Sequence, residues 1–137
     1  MTDCVHIAKA TLRDHEGLKL HPYQCTAGRT TIGYGRNLDD RGIAIDEAEQ
    51  MLDRDVGDAL LDACQYSYWH KLTERRKAAL IDMRFCLGAG GFSKFKKMHS
   101  ALVLGDYDEA AAQIMDSNFA RQTGRRAENL HQMMIEG

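Results

Sequence analysis

Residues 16–36 read EGLKLHPYQCTAGRTTIGYGR, and this stretch decides the fold. One carboxylic acid, Glu16, stands just ahead of a compact, turn-rich segment. Ala27-Gly28 marks a turn. Thr30, Thr31, Ile32, Gly33, Tyr34 and Gly35 follow, a short run of β-branched and aromatic residues broken by glycine. Upstream, Ile7, Ala8, Ala10 and Leu12 are spaced as in a helix. Glu16 therefore falls where a helix ends, and Cys25 and Thr31 fall on a hairpin just beyond it. That arrangement can aim three side chains at one cleft.

Working outward, the first helix is expected over about residues 3–15, with Ile7 and Leu12 facing a core. Residues 37–45 read as a polar loop. Ala48, Met51, Leu52, Val56, Ala59, Leu60 and Ala63 then recur at steps of three and four, so an amphipathic helix is expected over about 44–64. Its acidic opening, Asp46, Glu47 and Glu49, suits the helix dipole. Such a helix spans roughly 30 Å, enough to join two lobes. Thr73 is a candidate N-cap for a helix apolar on nearly every side, from Ala78 to Phe85, that ends at Gly88 to Gly91. Further helices are expected over 92–104, 107–116 and 125–135. The fold class is α+β, mainly α, with one small sheet.

Composition bounds the function. The chain has 137 residues and ordinary globular content, with no repeat, no low-complexity tract and no linker. It has no apolar run long enough to span a membrane. The N-terminus lacks a basic region followed by an apolar core, so no secretory signal is expected. Residues 1–70 hold 7 Lys/Arg against 12 Asp/Glu, and residues 71–137 hold 11 against 8. A basic second half suits an anionic polymer. The four cysteines match no zinc pattern, and Cys64 and Cys86 are expected to be buried free thiols. The six histidines show no paired ligand spacing. No metal and no organic cofactor is implied.

The spacing Glu16, eight residues, Cys25, five residues, Thr31, with TIGYG over 31–35, resembles the phage-type lysozymes, glycoside hydrolase family 24. Four further stretches fall in family order: IDEAEQML (45–52), RRKAALIDMRFCLG (75–88), GDYDEAA (105–111) and QTGRRA (122–127). The resemblance implies a single lysozyme domain over 1–137. Its small β lobe would cover about 17–43, its inter-lobe helix about 44–64, and its helical lobe about 65–137 together with the N-terminal helix 3–15. It implies an N-acetylmuramidase that cuts the β-1,4 bond between N-acetylmuramic acid and N-acetylglucosamine in bacterial peptidoglycan. An endolysin of this kind gathers in the host cytoplasm and acts on the periplasmic cell wall. It depends on a separate holin-like protein to get there. A monomer is the default.

Carried over residue by residue, the resemblance makes Glu16 the general acid. It places Cys25 and Thr31 near the attacking water, with Thr31 holding that water through its hydroxyl. Relatives carry Asp or Cys at the position of Cys25. A free thiol titrates at about 8.5 and is a poor base at neutral pH, but its thiolate is a strong nucleophile. Three roles stay open for Cys25: beside the water, attacking the anomeric carbon, or merely packing. The first is favoured. Arg126 matches the family Arg that pairs with the catalytic Glu. Arg36 stands where relatives have His, and an Arg36–Asp55 ion pair is expected from the family's His–Asp pair. Asn37, Phe85 and Gln113 match positions that line the sugar cleft. Cys86 falls where relatives have Gln.

Three other functions are possible readings of the residues. A lysozyme fold that grips peptidoglycan without cutting it is supported by the thiol at 25. A Cys25 hydrolase using His21 or His15 as base has little support from spacing. A nucleic-acid binder would need base-stacking aromatics among basic residues, and the run Lys94 to Lys97 is too short for that.

Overall fold

The computed structural model describes residues 3–137. The chain divides into two compact units, one ending at Glu49 and the other spanning Gln50–Gly137. The mainly α, α+β class holds: eight α-helices among the described residues accompany one small antiparallel sheet.

In the first unit, α1 (Asp3–Glu16) leads into β1 (Lys19–Gln24), β2 (Thr30–Gly33) and β3 (Arg36–Asn37). The sheet order is β1-β2-β3, so Thr31 lies on the central strand. It faces Tyr23 on one side and Asn37 on the other. Pro22 is tolerated because β1 is an edge strand whose register breaks between Lys19 and Tyr23. A tight turn closes the hairpin, with Cys25 N donating to Arg29 O at 2.9 Å and Gly28 N to Cys25 O at 2.8 Å. The polar loop expected after Asn37 contains a further short helix, α2 (Leu38–Arg41). Asn37 Oδ1 caps it by accepting from Asp40 N at 3.1 Å. Ile7 and Leu12 are exposed rather than core-facing. A unit this small, with three short strands, encloses little apolar surface; its one buried residue among those described is Thr31.

Helix α3 (Ile45–Ala63) runs from the first unit into the second. The second unit continues through a 3-10 turn (Trp69–Lys71) into α4 (Glu74–Ser93), α5 (Lys96–Val103), α6 (Tyr107–Met115), α7 (Asn118–Thr123) and α8 (Arg125–Glu136). Thr73 caps α4 as expected, accepting from Arg76 N at 3.2 Å. Helix α4 does not stop at its glycines. It breaks at Gly88, with φ 75° and ψ 169°, and resumes to Ser93. Only glycine adopts that backbone readily. The break places Phe92 in the core, wholly buried, instead of at the start of the next helix.

Helix α8 is the hub, packing on α4, α6 and α7. Its Ala127, Leu130 and Met134 join Leu80, Met83, Met98 and Ile114 in one core. Beside that core, Tyr66 stacks on His99 at 4.3 Å between centroids. His99 Nε2 donates to Phe92 O at 2.9 Å, which leaves Nδ1 to accept from Tyr68 Oη at 2.7 Å. No helix among the described residues is long and apolar enough to cross a membrane.

Candidate active site

Glu16 closes α1, and its carboxylate lies against the backbone of Gly35. A methyl group built on Gly35 would stand 2.7 Å from Glu16 Oε2 and 2.9 Å from its carboxyl carbon. The acid ahead of the hairpin is thus folded back onto the segment joining β2 to β3.

Cys25 and Thr31 meet at the other end of the hairpin. The Cys25 thiol is held below its ordinary value, first by the backbone N–H of Arg29, then by that of Ala27, with the Thr31 hydroxyl adding; burial opposes. Thr31 is 4% exposed, and its Oγ1 donates to Arg29 O at 2.9 Å. A hydroxyl has one proton. That proton lies on the Arg29 carbonyl or turns to the Cys25 sulfur, and in either state Thr31 keeps lone pairs to offer a neighbour.

Arg36 finds its carboxylate within the first unit, on Glu47. Its Nη1 donates to Glu47 Oε1 at 2.9 Å and its Nη2 to Glu47 Oε2 at 2.8 Å, with a further bond from Nη1 to Gly42 O at 3.2 Å. Glu47 Oε1 also accepts from Ala44 N at 2.9 Å, so the same carboxylate caps α3. Asp55 lies eight residues, about 12 Å, farther along that helix. The Arg36 guanidinium, then the Ala44 N–H, hold the Glu47 carboxyl down at about 2. Glu47 was legible in sequence as a first-turn acid, but nothing there marked it as the partner of Arg36.

Arg126 finds its carboxylate inside the second unit. Its Nε donates to Asp82 Oδ1 at 2.6 Å and its Nη2 to the Asp82 carbonyl at 3.2 Å. The pair joins the start of α8 to α4, two helices packed on each other. No spacing in the sequence signalled Asp82.

The remaining expected residues are scattered or engaged. Besides capping α2, Asn37 donates from Nδ2 to Asp40 Oδ2 at 2.9 Å. Phe85 and Arg126 border a cavity of about 380 Å³ with Leu52, Val56 and Ile81. Phe85 and Asp55 border another of about 250 Å³ with Asp58 and Arg84. Gln113 borders a third, about 510 Å³, beside Lys94, Phe95 and Lys97, and its Nε2 donates to Glu109 Oε1 at 2.7 Å. Cys64 and Cys86 are exposed, not buried. Cys64 lies just past the end of α3, and Cys86 points away from the core on α4.

Residues 13–132 match the family model described as phage lysozyme. The chain belongs to the phage lysozyme family. By that membership it is a glycoside hydrolase of the lysozyme class. Among curated proteins it is similar to the endolysin of Acyrthosiphon pisum secondary endosymbiont phage 1, 33% identical over 131 residues, 89% of this chain and 86% of that one. It is similar to the probable T4-type lysozyme 2 of Dictyostelium discoideum, 28% identical over 149 residues, 87% of this chain and 88% of that one. It is also similar to the pre-baseplate central spike protein Gp5 of Enterobacteria phage T4, 28% identical over 155 residues. That match takes in 92% of this chain but spans only 27% of the spike protein's length.

Proposed function

We propose that this phage lysozyme family member is an endolysin. It hydrolyses the β-1,4 bond between N-acetylmuramic acid and N-acetylglucosamine in bacterial peptidoglycan. The observation that carries the reading is the placement of Glu16 against Gly35, with Thr31 on the neighbouring central strand and Cys25 held in the turn beside it.

In this reading Glu16 gives its proton to the glycosidic oxygen as the bond to the anomeric carbon breaks. A water then attacks that carbon from the opposite face. The water donates one hydrogen bond to Thr31 Oγ1, whose own proton is on the Arg29 carbonyl. Cys25 stands beside the water. A thiol of lowered pKa is more often a thiolate at neutral pH than a free one. As a thiolate it accepts a hydrogen bond from the water and helps hold it, the water's proton passing to solvent as the new bond to carbon forms. Direct water attack inverts the anomeric centre. Asn37, Phe85 and Gln113 are proposed glycan contacts, and Arg126, Arg36 and Asp55 supporting residues. The enzyme would reach the wall from the host cytoplasm after a holin-like protein opens the membrane.

The test is turbidity loss of outer-membrane-permeabilised bacteria with wild type, Glu16→Gln and Cys25→Ser. Wild type should clear the suspension and Glu16→Gln should not. Wild type that pellets with walls without clearing them would make the protein a peptidoglycan binder instead. The anomer of the nascent product, read by NMR, tests the role of the thiol, since a retained anomer excludes direct water attack.

A further inference from the structure

We infer that Gly35 is a positioning residue for Glu16: its bare Cα is the wall that seats the carboxylate. The inference rests on the reading of Glu16 as general acid. Two glycines in this stretch both have positive φ, Gly33 at 70° and Gly35 at 76°. Both would resist a side chain on grounds of strain. They differ in what a Cβ would meet. At Gly33 nothing lies within 4 Å. At Gly35 the three nearest atoms all belong to one side chain, Glu16 Oε2 at 2.7 Å, Cδ at 2.9 Å and Cγ at 3.2 Å.

Contacts that short cannot persist, so one partner must give way. The atoms that would move are the far end of a flexible side chain, not backbone. The fold therefore survives the collision, and the carboxylate is what is displaced. A general acid must sit within hydrogen-bond reach of the leaving oxygen, and a misplacement of about 1 Å can cost about a hundredfold in rate. Gly35 thus has two roles where Gly33 has one. Both permit a turn, but only Gly35 leaves room for the acid.

The pair supplies its own control. Gly35→Ala and Gly33→Ala both place a side chain at positive φ, and both should lose thermal stability. Gly35→Ala should lower kcat about a hundredfold with KM little changed, while Gly33→Ala keeps kcat near wild type. The ¹³C resonance of the Glu16 carboxyl should move in Gly35→Ala and stay in Gly33→Ala, a readout that needs no turnover. Gly35→Asn carries the same Cβ on a residue that tolerates positive φ, and it takes the place of Gly35→Ala if the alanine variant does not fold. Equal kcat in the two glycine variants, a loss wholly in KM, or an unmoved carboxyl resonance would overturn the inference. A fully active Glu16→Gln would instead overturn the acid reading beneath it.

Discussion

Arg36 holds Glu47 with both ends of its guanidinium, at 2.9 and 2.8 Å, and the same carboxylate caps α3 through Ala44 N. One acid thereby fastens the β3 segment to the start of a helix. Its carboxyl is held at about 2 against an ordinary 4.5. A lowered folded pKa means the unfolded chain binds the proton first. The pair's contribution is present in full above pH 4.5 and is lost as pH falls toward 2. Glu47→Gln should therefore lower the melting temperature near neutral pH and converge on wild type near pH 2. Thermal unfolding followed across that range checks it; a deficit that does not change with pH would sink the pairing as its cause. Asp55→Asn, which leaves the pair untouched, should keep the wild-type acid profile.

His99 gives a second pH dependence at milder acidity. Burial pushes its imidazole below the ordinary 6.5, while the bond to the Phe92 carbonyl pulls weakly the other way. Here too the unfolded chain takes the proton first. Stability is fully present above pH 6.5 and declines as pH falls below it. His99→Gln, which stays neutral, should flatten that decline. Denaturant midpoints at a series of pH values show whether the slope between pH 5 and 7 disappears.

Asp82 and Arg126 are each more than a third exposed, so solvent weakens their attraction. The pair should contribute about 0.5 kcal/mol to stability. Asp82→Asn and Arg126→Ala should each cost that much, and the double variant little more. Urea unfolding of the three gives the coupling directly, and additive losses would show the two groups to be independent.

Phe85 and Phe92 are seven residues apart on α4 and should behave oppositely. Phe92 is wholly buried, and Phe92→Ala should cost about 3–5 kcal/mol. Phe85 is 41% exposed, and Phe85→Ala should cost under about 1.5 kcal/mol, within the range of changes that leave a core intact. If the two losses match, the division between core and surface on this helix is wrong. A larger effect of Phe85→Ala on KM than on stability would favour its proposed contact with glycan.

The contrast between those two phenylalanines shows where the sequence was legible. Periodicity placed α3 to within a residue at each end, because its apolar positions repeat at helical spacing. Thr73 was recognisable as a cap because its geometry is local. The Gly88 break was not, because helix-breaking glycines look the same whether a helix ends or bends. The fate of α4 depends on whether a core waits for Phe92. Helix α7 escaped notice because only Phe119 and Ala120 are buried along its six residues, too few for a period. At the candidate site, Glu16, Cys25 and Thr31 could be singled out because their spacing resembles the family's pattern. The partners Glu47 and Asp82 could not, since an ion pair between distant residues leaves no periodic trace. Gly35 was visible as a turn former, while its closeness to Glu16 emerged only in three dimensions.

The bend at Gly88 sets local preference against the rest of the fold. Alanine at this place would favour a straight helix by about 1 kcal/mol over glycine. The bent form survives because straightening would draw Phe92 out of the core, a loss several times larger. That frustration is confined to one peptide unit. A mutation that loosens the pocket around Phe92 would release it, and α4 would then lengthen rather than melt. The chain would respond to damage in its core by gaining helix, so far-ultraviolet circular dichroism would read the wrong way for a destabilised variant.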